Sequence, residues 1–223
     1  SYYYALVKYN KILNQRNNLI KKSRDVNSLK EMLFVWDAQL AKECARIVSK
    51  RMRFCDRLKT LAADAHDRLT DGKEKLEISY VTQISGENAE QREKNMLELL
   101  GAGVQKDFEL GYTTSGCQRD DLKFCVNGVD IRSFGSQGQQ RTAALSLKLS
   151  ELELVKQLIH DRPILLLDDV LSELDAGRQN HLLNAINDIQ TIITCTGLDD
   201  FVNNRFKIDK IFKVIDGAVV SEN

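Results

Sequence analysis

Proline is almost absent from this sequence, since Pro163 is the only one among 223 residues. Because proline interrupts helices, its absence from residues 1–70 allows long continuous helices there. Long apolar runs are also missing: no stretch of about 18 apolar residues occurs, so no membrane span is expected. The opening residues, SYYYALVKYNK, contain neither an apolar signal core nor a cleavage-like site, so export is not expected either.

Cysteine pairs with CxxC spacing are absent as well. The five cysteines are scattered and odd in number: Cys44, Cys55, Cys117, Cys125 and Cys195. This pattern predicts free thiols in the cytoplasm and argues against a disulfide framework or a zinc site. The three histidines have no partners at metal-ligand spacing, which favours packing or surface roles for His66, His160 and His181.

The formal net charge is zero, but the charge is unevenly distributed. Residues 1–60 contain 14 Lys or Arg against 5 Asp or Glu, whereas residues 61–223 contain 18 against 27. A basic first quarter is a candidate surface for a polyanion such as DNA. The same imbalance also arises when long helices carry solvated lysines, and composition does not separate the two.

Helical periodicity covers residues 1–70. In the first segment one apolar face recurs, formed by Leu6, Tyr9, Leu13 and Ile20. Ser28 and Glu31 stand three residues apart, a capping-box signal that predicts a new helix start. From there apolar residues recur every seven positions, at Leu33, Leu40, Ile47, Phe54 and Leu61. We therefore expect a helix over about 28–68, packed by residues 4–22 into a short antiparallel helical hairpin that forms an arm.

The rest of the chain predicts alternating helices and strands. A turn at 70–73 leads to a strand at 76–80, a helix over about 87–110, and a hairpin that turns at Asn127-Gly128 and returns over 129–132. Then follow a helix over about 138–159, a strand at 164–167, a helix near 176–187, a strand at 191–194 and a turn at Asp216-Gly217. Apolar strands interleaved with helices predict the α/β fold class, with a mostly parallel sheet covered on both faces.

Two stretches carry candidate chemistry. In PILLLDD, Asp168 and Asp169 end an apolar strand, which places acids at the ligand-binding edge of an α/β sheet. One acid there can hold Mg²⁺ through its water shell, and the next can orient or deprotonate a water. In FGSQGQQRTAAL, a tight turn before a helix offers free backbone N–H groups to an anion. Each stretch alone can also be a helix cap, but with Ser172 to Asp175 downstream the three signals indicate a nucleotide site.

These motifs resemble the ABC-type ATPase head, in the branch that includes SMC-like chromosome and repair proteins. The resemblance implies a signature loop, facing the γ-phosphate of ATP held by the opposite subunit, at Ser136, Gln137, Gly138 and Gln139. It makes Asp168 the Walker B acid for Mg²⁺ and Asp169 the catalytic acid. It places a D-loop at the dimer interface, with Ser172 and Asp175. Thr194-Cys195-Thr196 occupies the place of a switch histidine, and Thr196 can hydrogen-bond a phosphate but cannot titrate near pH 7.

Longer stretches narrow the resemblance to the RecF family of bacterial recombination mediators. They are YYYALVKYNKILNQRNNLIKK, GCQRDDLKFCVNG, SFGSQGQQRTAALSLKLSELELVK and PILLLDDVLSELD, and the likeness extends over about residues 2–220. It implies ATP-dependent homodimers without a membrane role, DNA binding where single-stranded gaps meet duplex, and action with RecO and RecR in loading RecA at the nucleoid. One departure is Gly116-Cys117-Gln118-Arg119-Asp120, where the family usually has Gly-Pro-His-Arg-Asp.

The P-loop motif GxxxxGK[ST] does not occur in the chain. In the resembling family this loop lies in an N-terminal lobe before the arm, so the chain is expected to start part-way through such a protein and not to hydrolyse ATP alone. On this interpretation residues 1–116 form the helical arm domain and 117–223 the signature and Walker B half of an ABC-type head. Two alternatives stay open: another SMC-like or transporter-type ATPase head, and a non-enzymatic helical interaction module whose acids and glutamines are only caps.

Overall fold

The structure is a computed structural model that describes residues 1–159, 163–171, 174–195 and 208–222. The chain divides into two compact units. Unit 1 consists of Ser1–Leu61 and Leu76–Gly135, and unit 2 of Ala62–Lys75 and Ser136–Asn223. The predicted domain boundary after residue 116 stays a prediction, because compactness alone does not say where an ATPase head begins. None of the helices in the described ranges combines the length and the apolar character needed to cross a membrane.

Unit 1 contains three long helices: α1 (Tyr2–Lys22), α2 (Val26–Leu69, which enters unit 2 at Ala62) and α3 (Ala89–Leu110). Each contributes one face to a shared apolar core, as their helical periodicity predicts. The buried members from these helices are Ala5, Tyr9, Ile12, Leu40, Ala41, Cys44, Ile47, Val48, Met96 and Leu100. The predicted packing of residues 4–22 against the long helix is present, and α3 joins it as a third member.

The start of α2 differs from the prediction. The helix begins at Val26, and the cap is the Asp25 carboxylate, which accepts hydrogen bonds from Ser28 N–H at 2.8 Å and Ser28 Oγ at 2.9 Å. Ser28 is therefore inside the helix, and its assignment as the cap was wrong. An ionised carboxylate at the positive end of a helix is a strong acceptor for these groups. The same bonds lower the pKa of Asp25.

The seven-residue apolar stripe of α2 leaves the core partway along the helix. Leu33, Leu40 and Ile47 are fully buried, but the Phe54 side chain is 47% exposed. A straight helix turns by about 20° against a seven-residue repeat for every heptad, so such a stripe rotates away from a fixed core. Further along α2, residues outside this stripe are buried instead, among them Leu58.

A fully buried arginine sits on the apolar face of α1, and the sequence pattern had not indicated it. Arg16 Nε donates to Asp37 Oδ1 at 2.7 Å, and its Nη1 donates to Asp107 Oδ2 at 2.6 Å and to Thr113 Oγ1 at 2.9 Å. The Asp107 side chain is itself only 1% exposed. Because a buried charge needs partners, one guanidinium group joins α1, α2 and α3.

Unit 1 also contains a three-stranded antiparallel sheet in the order β1 (Leu76–Val81), β2 (Asp121–Val126) and β3 (Val129–Asp130). The predicted turn joins β2 and β3, with Asn127 at φ 50° and Gly128 at φ 80°. The return strand ends after two residues, two short of the prediction. There the Asp130 side chain accepts the Arg132 N–H at 2.9 Å and starts the short helix α4 (Ile131–Phe134).

The stretch that departs from the usual Gly-Pro-His-Arg-Asp forms a corner of unit 1. Gly116 has φ 128°, and a side chain there would collide with the Tyr9 hydroxyl and Gln118 Oε1. The Tyr9 hydroxyl donates to Gln118 Oε1, and Arg51 Nη1 donates to Cys117 O at 2.6 Å. These contacts tie the corner to α1 and α2.

Unit 2 contains the motif-bearing elements in their predicted order. They are α5 (Gln137–Ile159), β4 (Leu165–Asp168), α6 (Ala176–Ala185), β5 (Thr191–Thr194), β6 (Ile211–Ile215) and β7 (Ala218–Glu222). Strands β4 and β5 pair in parallel, and β6 and β7 form an antiparallel hairpin around Asp216 and Gly217. The buried members of the unit 2 core are Leu69, Leu145, Leu167, Leu171, Leu182, Leu183, Ile186 and Ile189.

The α/β class is confirmed, but the share of parallel pairing is smaller than predicted. Across the described ranges β4 and β5 form the one parallel pair, and the sheets β1–β2–β3 and β6–β7 are antiparallel. Two-residue turns such as Asn127-Gly128 can only join antiparallel neighbours, whereas the parallel pair is connected through α6.

Candidate functional site

The carboxyl end of β4 carries the two predicted acids. Leu167 is buried in the core of unit 2, and the next two residues, Asp168 and Asp169, are exposed. Asp169 has φ 52°, a left-handed conformation that costs an L-residue about 1–2 kcal/mol. Aspartate and asparagine adopt this conformation more readily than most residues, and Asp71, Asn127 and Asp216 adopt it in turns. The role of Asp169 as the catalytic acid stays a prediction.

Thr194 contacts both acids; the sequence placed it in the stretch that replaces the switch histidine but did not predict these contacts. It lies opposite Asp168 in the parallel register of β4 and β5. Its hydroxyl donates to Asp168 Oδ1, and the Asp169 N–H donates to Thr194 O and to Thr194 Oγ1, each at 3.1 Å. One threonine thus fixes the Asp168 side chain and the Asp169 backbone. A polar residue at the end of the neighbouring parallel strand was the signal that could have identified it.

The predicted signature loop is the start of α5. Ser136 lies just before the helix, Gln137 is its first residue, and both are exposed. Ser136 Oγ accepts the Gln139 N–H at 3.2 Å, and Gln139 Oε1 accepts the Ser136 N–H at 3.1 Å. This reciprocal capping box defines the shape of the turn. The turn caps the helix and also presents a hydroxyl and helix-start N–H groups to solvent.

Arg178, a residue without a predicted role, lies close to both Gly138 and Asp175. Arg178 Nη1 lies 3.0 Å from Asp175 Oδ2 and 3.6 Å from the position that a side chain on Gly138 would occupy. Asp175 caps α6 by accepting the Arg178 N–H at 3.0 Å, and this bond lowers the pKa of Asp175. Asp175 thus has a structural task as a helix cap. The other predicted residues, Ser172 and Thr196, lie outside the described residues.

The side chains at the end of β4 suit a magnesium-bound nucleotide. Asp168 and Asp169 supply carboxylate oxygens, the ligand type that Mg²⁺ takes when it also binds phosphates and water. Asp168 uses Oδ1 to accept from Thr194, which orients the carboxylate without neutralising it. The described ranges hold no cluster of three or more His, Cys, Asp or Glu side chains placed to bind a metal. Two acids therefore fit an ion that is held mainly by phosphate and water oxygens.

His66 in unit 2 is completely buried, and its charge state affects stability. Its Nδ1 lies 3.0 Å from Ser146 Oγ, and its Nε2 lies 3.2 Å from Glu74 Oε2. Burial lowers the pKa of His66 below its usual 6.5; nearby Arg178 adds to this effect, and Glu74 and Asp67 oppose it. The imidazole is therefore neutral in the folded chain at pH 7.

Acidification is expected to destabilise the chain through His66. The unfolded chain takes up the proton near pH 6.5, whereas the folded chain takes it up only at lower pH. The contribution of His66 is thus fully present above pH 6.5 and falls as the pH drops below it. Urea unfolding at about pH 7.5 and 5.5, compared between the unmutated chain and His66→Gln, should show a stability difference that narrows at the lower pH. A difference that stays constant or widens would contradict this expectation.

The sequence is similar to RecF proteins over nearly its whole length. The DNA replication and repair protein RecF of Lachnospira eligens is 52% identical over 220 residues, which cover 98% of this chain and 59% of that protein. RecF of Clostridium novyi is 45% identical over 218 residues, again 98% of this chain and 59% of the relative. The chain therefore spans about 59% of the length of these curated relatives. No protein-family model matches it.

Solved structures agree with the sequence relatives. The structure of the recombination mediator protein RecF-ATP in the RecFOR pathway superposes with a TM-score of 0.82 at 33% identity, covering 100% of this chain and 58% of that one. The RecF-ATPrS structure of the same pathway gives a TM-score of 0.80 at 32% identity, with 99% and 58% covered. In sequence and in fold, the chain is similar to the 58–59% of these RecF proteins that it spans.

Proposed function

We propose that this chain is the arm together with the signature and Walker B segment of an ATP-dependent DNA repair and recombination protein of the RecF type. In the complete cytoplasmic protein it binds ATP with Mg²⁺, forms a homodimer across the bound nucleotide, and binds DNA at single-strand gaps. It acts there with RecO- and RecR-type partners in loading RecA. The observation that carries the proposal is the exposed turn at Ser136, in a chain 52% identical to a RecF protein.

The turn at Ser136 is suited to a phosphate of a nucleotide held by a second subunit. Because Ser136 Oγ already accepts the Gln139 N–H, its own hydrogen can be donated to a phosphate oxygen. The first N–H groups of the 23-residue helix α5 add the positive end of the helix dipole. Gly138 contributes no side chain, so a phosphate can approach the backbone.

The acids at the end of β4 are suited to the metal ion and to the attacking water. When bound, ATP supplies the phosphoryl group, and Mg²⁺ neutralises charge on its oxygens. Asp168, oriented by Thr194, offers its carboxylate to the metal's water shell. Asp169 orients a water molecule and accepts its proton, for which an exposed carboxylate next to Asp168 is suited.

The basic helices are the proposed DNA surface. Of the 14 Lys and Arg among residues 1–60, 12 are exposed, against 3 of the 5 Asp and Glu. The other two acids are used within unit 1, where Asp37 binds Arg16 at 2.7 Å and Glu43 binds Lys8 at 2.9 Å. The exposed surface of residues 1–60 is thus more strongly basic than the composition of this segment alone indicates. DNA binding through phosphates weakens steeply with salt.

Ser136→Arg tests the cross-subunit role of the turn in a complete RecF-type protein, with this segment joined to a P-loop lobe. An arginine side chain would fill the space between the turn and the phosphate. ATP-dependent dimerisation should therefore be lost, while each monomer still binds ATP. Sedimentation with a slowly hydrolysed ATP analogue measures the first effect, and calorimetry measures the second.

The matched control is Ser133→Arg, the same change at an exposed position on α4. It should dimerise as the unmutated protein does. If the turn is only a helix cap, Ser136→Arg should cost about 1 kcal/mol of stability and leave association intact. Dimerisation of the Ser136→Arg protein with ATP would remove the basis of the proposed function.

A further inference from the structure

A chain of hydrogen bonds in unit 2 connects buried His66 with the turn at Ser136. His66 Nε2 lies 3.2 Å from Glu74 Oε2, and Glu74 Oε1 accepts from Gln139 Nε2 at 3.2 Å. Gln139 Oε1 in turn accepts the Ser136 N–H at 3.1 Å, and Ser136 Oγ accepts the Gln139 N–H at 3.2 Å. The first two residues come from the end of α2 and the segment that follows it, and the last two from the start of α5.

The charge of Glu74 fixes the direction of each bond in this chain. A carboxylate only accepts hydrogen bonds, so Gln139 must turn its NH₂ group to Glu74 and its oxygen to the Ser136 N–H. His66 must likewise present Nε2–H to Glu74, which it can do as the neutral ring or as the cation. In the neutral ring Nδ1 is then an acceptor 3.0 Å from Ser146 Oγ, whose one hydrogen can be donated either to Nδ1 or to Thr142 O at 2.7 Å.

We propose that Glu74, held in place by His66, is a positioning residue for the signature turn. It selects the Gln139 orientation that closes the capping box with Ser136, and so fixes the hydroxyl that is offered to a phosphate. The inference rests on the proposed function and extends it to two residues outside the signature motif. The Glu74 side chain is only 19% exposed, so water competes weakly for the two bonds that it accepts.

Two substitutions of Glu74 should differ in their effect on the turn: one disrupts it and the other preserves it. Glu74→Leu removes the acceptor, so Gln139 is free to turn away and the Ser136 N–H loses its partner. Glu74→Gln keeps an oxygen for Gln139 and turns an NH₂ group towards His66 Nε2. His66 can accept that bond by moving its proton to Nδ1, which then donates to Ser146 Oγ. The glutamine variant should therefore preserve the turn and change the tautomer of His66.

The first measurement uses this chain without nucleotide. Amide hydrogen exchange by nuclear magnetic resonance should accelerate about tenfold at Ser136 in Glu74→Leu, and amides in the middle of α5 should keep their rates. A general loss of stability would accelerate both. In Glu74→Gln the Ser136 rate should stay near that of the unmutated chain, while the ring ¹⁵N shifts of His66 report the other tautomer. Glu153→Leu, the same change at an exposed position on α5, is the control.

The second measurement uses the complete RecF-type protein and a slowly hydrolysed ATP analogue. Glu74→Leu should weaken nucleotide-dependent dimerisation about tenfold, and Glu74→Gln should leave it nearly unchanged. The inference is overturned if Glu74→Leu leaves the Ser136 exchange rate unaltered, or if Glu74→Gln is as damaging as Glu74→Leu. Failure of the proposed function has a separate signature, since the unmutated protein would then not dimerise with the analogue at all.

Discussion

Asp169→Asn in the complete RecF-type protein is expected to reduce ATP hydrolysis about 100- to 10,000-fold, with ATP-dependent dimerisation intact. The asparagine amide can still hydrogen-bond a water molecule but cannot take its proton. Association should persist because the turn at Ser136 is unchanged. Phosphate release measures the loss of hydrolysis, and sedimentation with ATP measures the dimer.

Asparagine is the appropriate replacement at this position because Asp169 has φ 52°, a conformation that asparagine also tolerates. An alanine there would add backbone strain to the loss of the carboxylate and would mix two effects. Asp188→Asn, the same change at a side chain 57% exposed, should hydrolyse ATP at the unmutated rate. Hydrolysis by Asp169→Asn at that rate would show that another group accepts the proton.

Arg16→Met is expected to lower the free energy of unfolding of unit 1 by about 3–5 kcal/mol. The methionine fills similar space, but it leaves the Asp107 carboxylate, 1% exposed, without its 2.6 Å partner. Asp107 Oδ1 still accepts from the Thr114 N–H at 2.8 Å and the Thr114 hydroxyl at 2.7 Å, but the buried negative charge loses the cation that balances it. Trp36, the only tryptophan of the chain, packs against the core of unit 1, so its fluorescence follows urea unfolding of this unit.

Two further variants identify the cause of the loss. Adding Asp37→Asn and Asp107→Asn to Arg16→Met removes all three charges and should recover part of the lost stability, because no unpaired charge remains buried. Arg132→Met breaks an exposed pair with Asp121, whose side chains are 73% and 55% exposed, and should not shift the urea midpoint measurably. If Arg16→Met alone unfolds at the unmutated midpoint, the buried network does not stabilise unit 1.

Local patterns in the sequence predicted most of the candidate site. The run of four apolar residues before Asp168 and Asp169 places both acids at a strand end, and glycine and glutamine residues between a hairpin and an apolar helix mark the turn at Ser136. The resemblance to RecF added roles that no spacing rule supplies. Arg178 and Glu74 were not predicted because nothing in their own surroundings in the sequence is unusual. Thr194 was noted only as part of the stretch that replaces the switch histidine.

Helices, strands and turns could be predicted along most of the chain, because periodicity, capping residues and turn residues act within a few positions of one another. Helix α3, strand β5 and the turn at Asn127-Gly128 were all predicted from such signals. The pairing of distant polar groups, in contrast, became visible only in the folded chain. Arg16 donates to Asp107, which is 91 residues away in the sequence, and Gln139 donates to Glu74, which is 65 residues away. Such partners are brought together by the packing of helices and the register of strands, which depend on the whole core and leave no local trace.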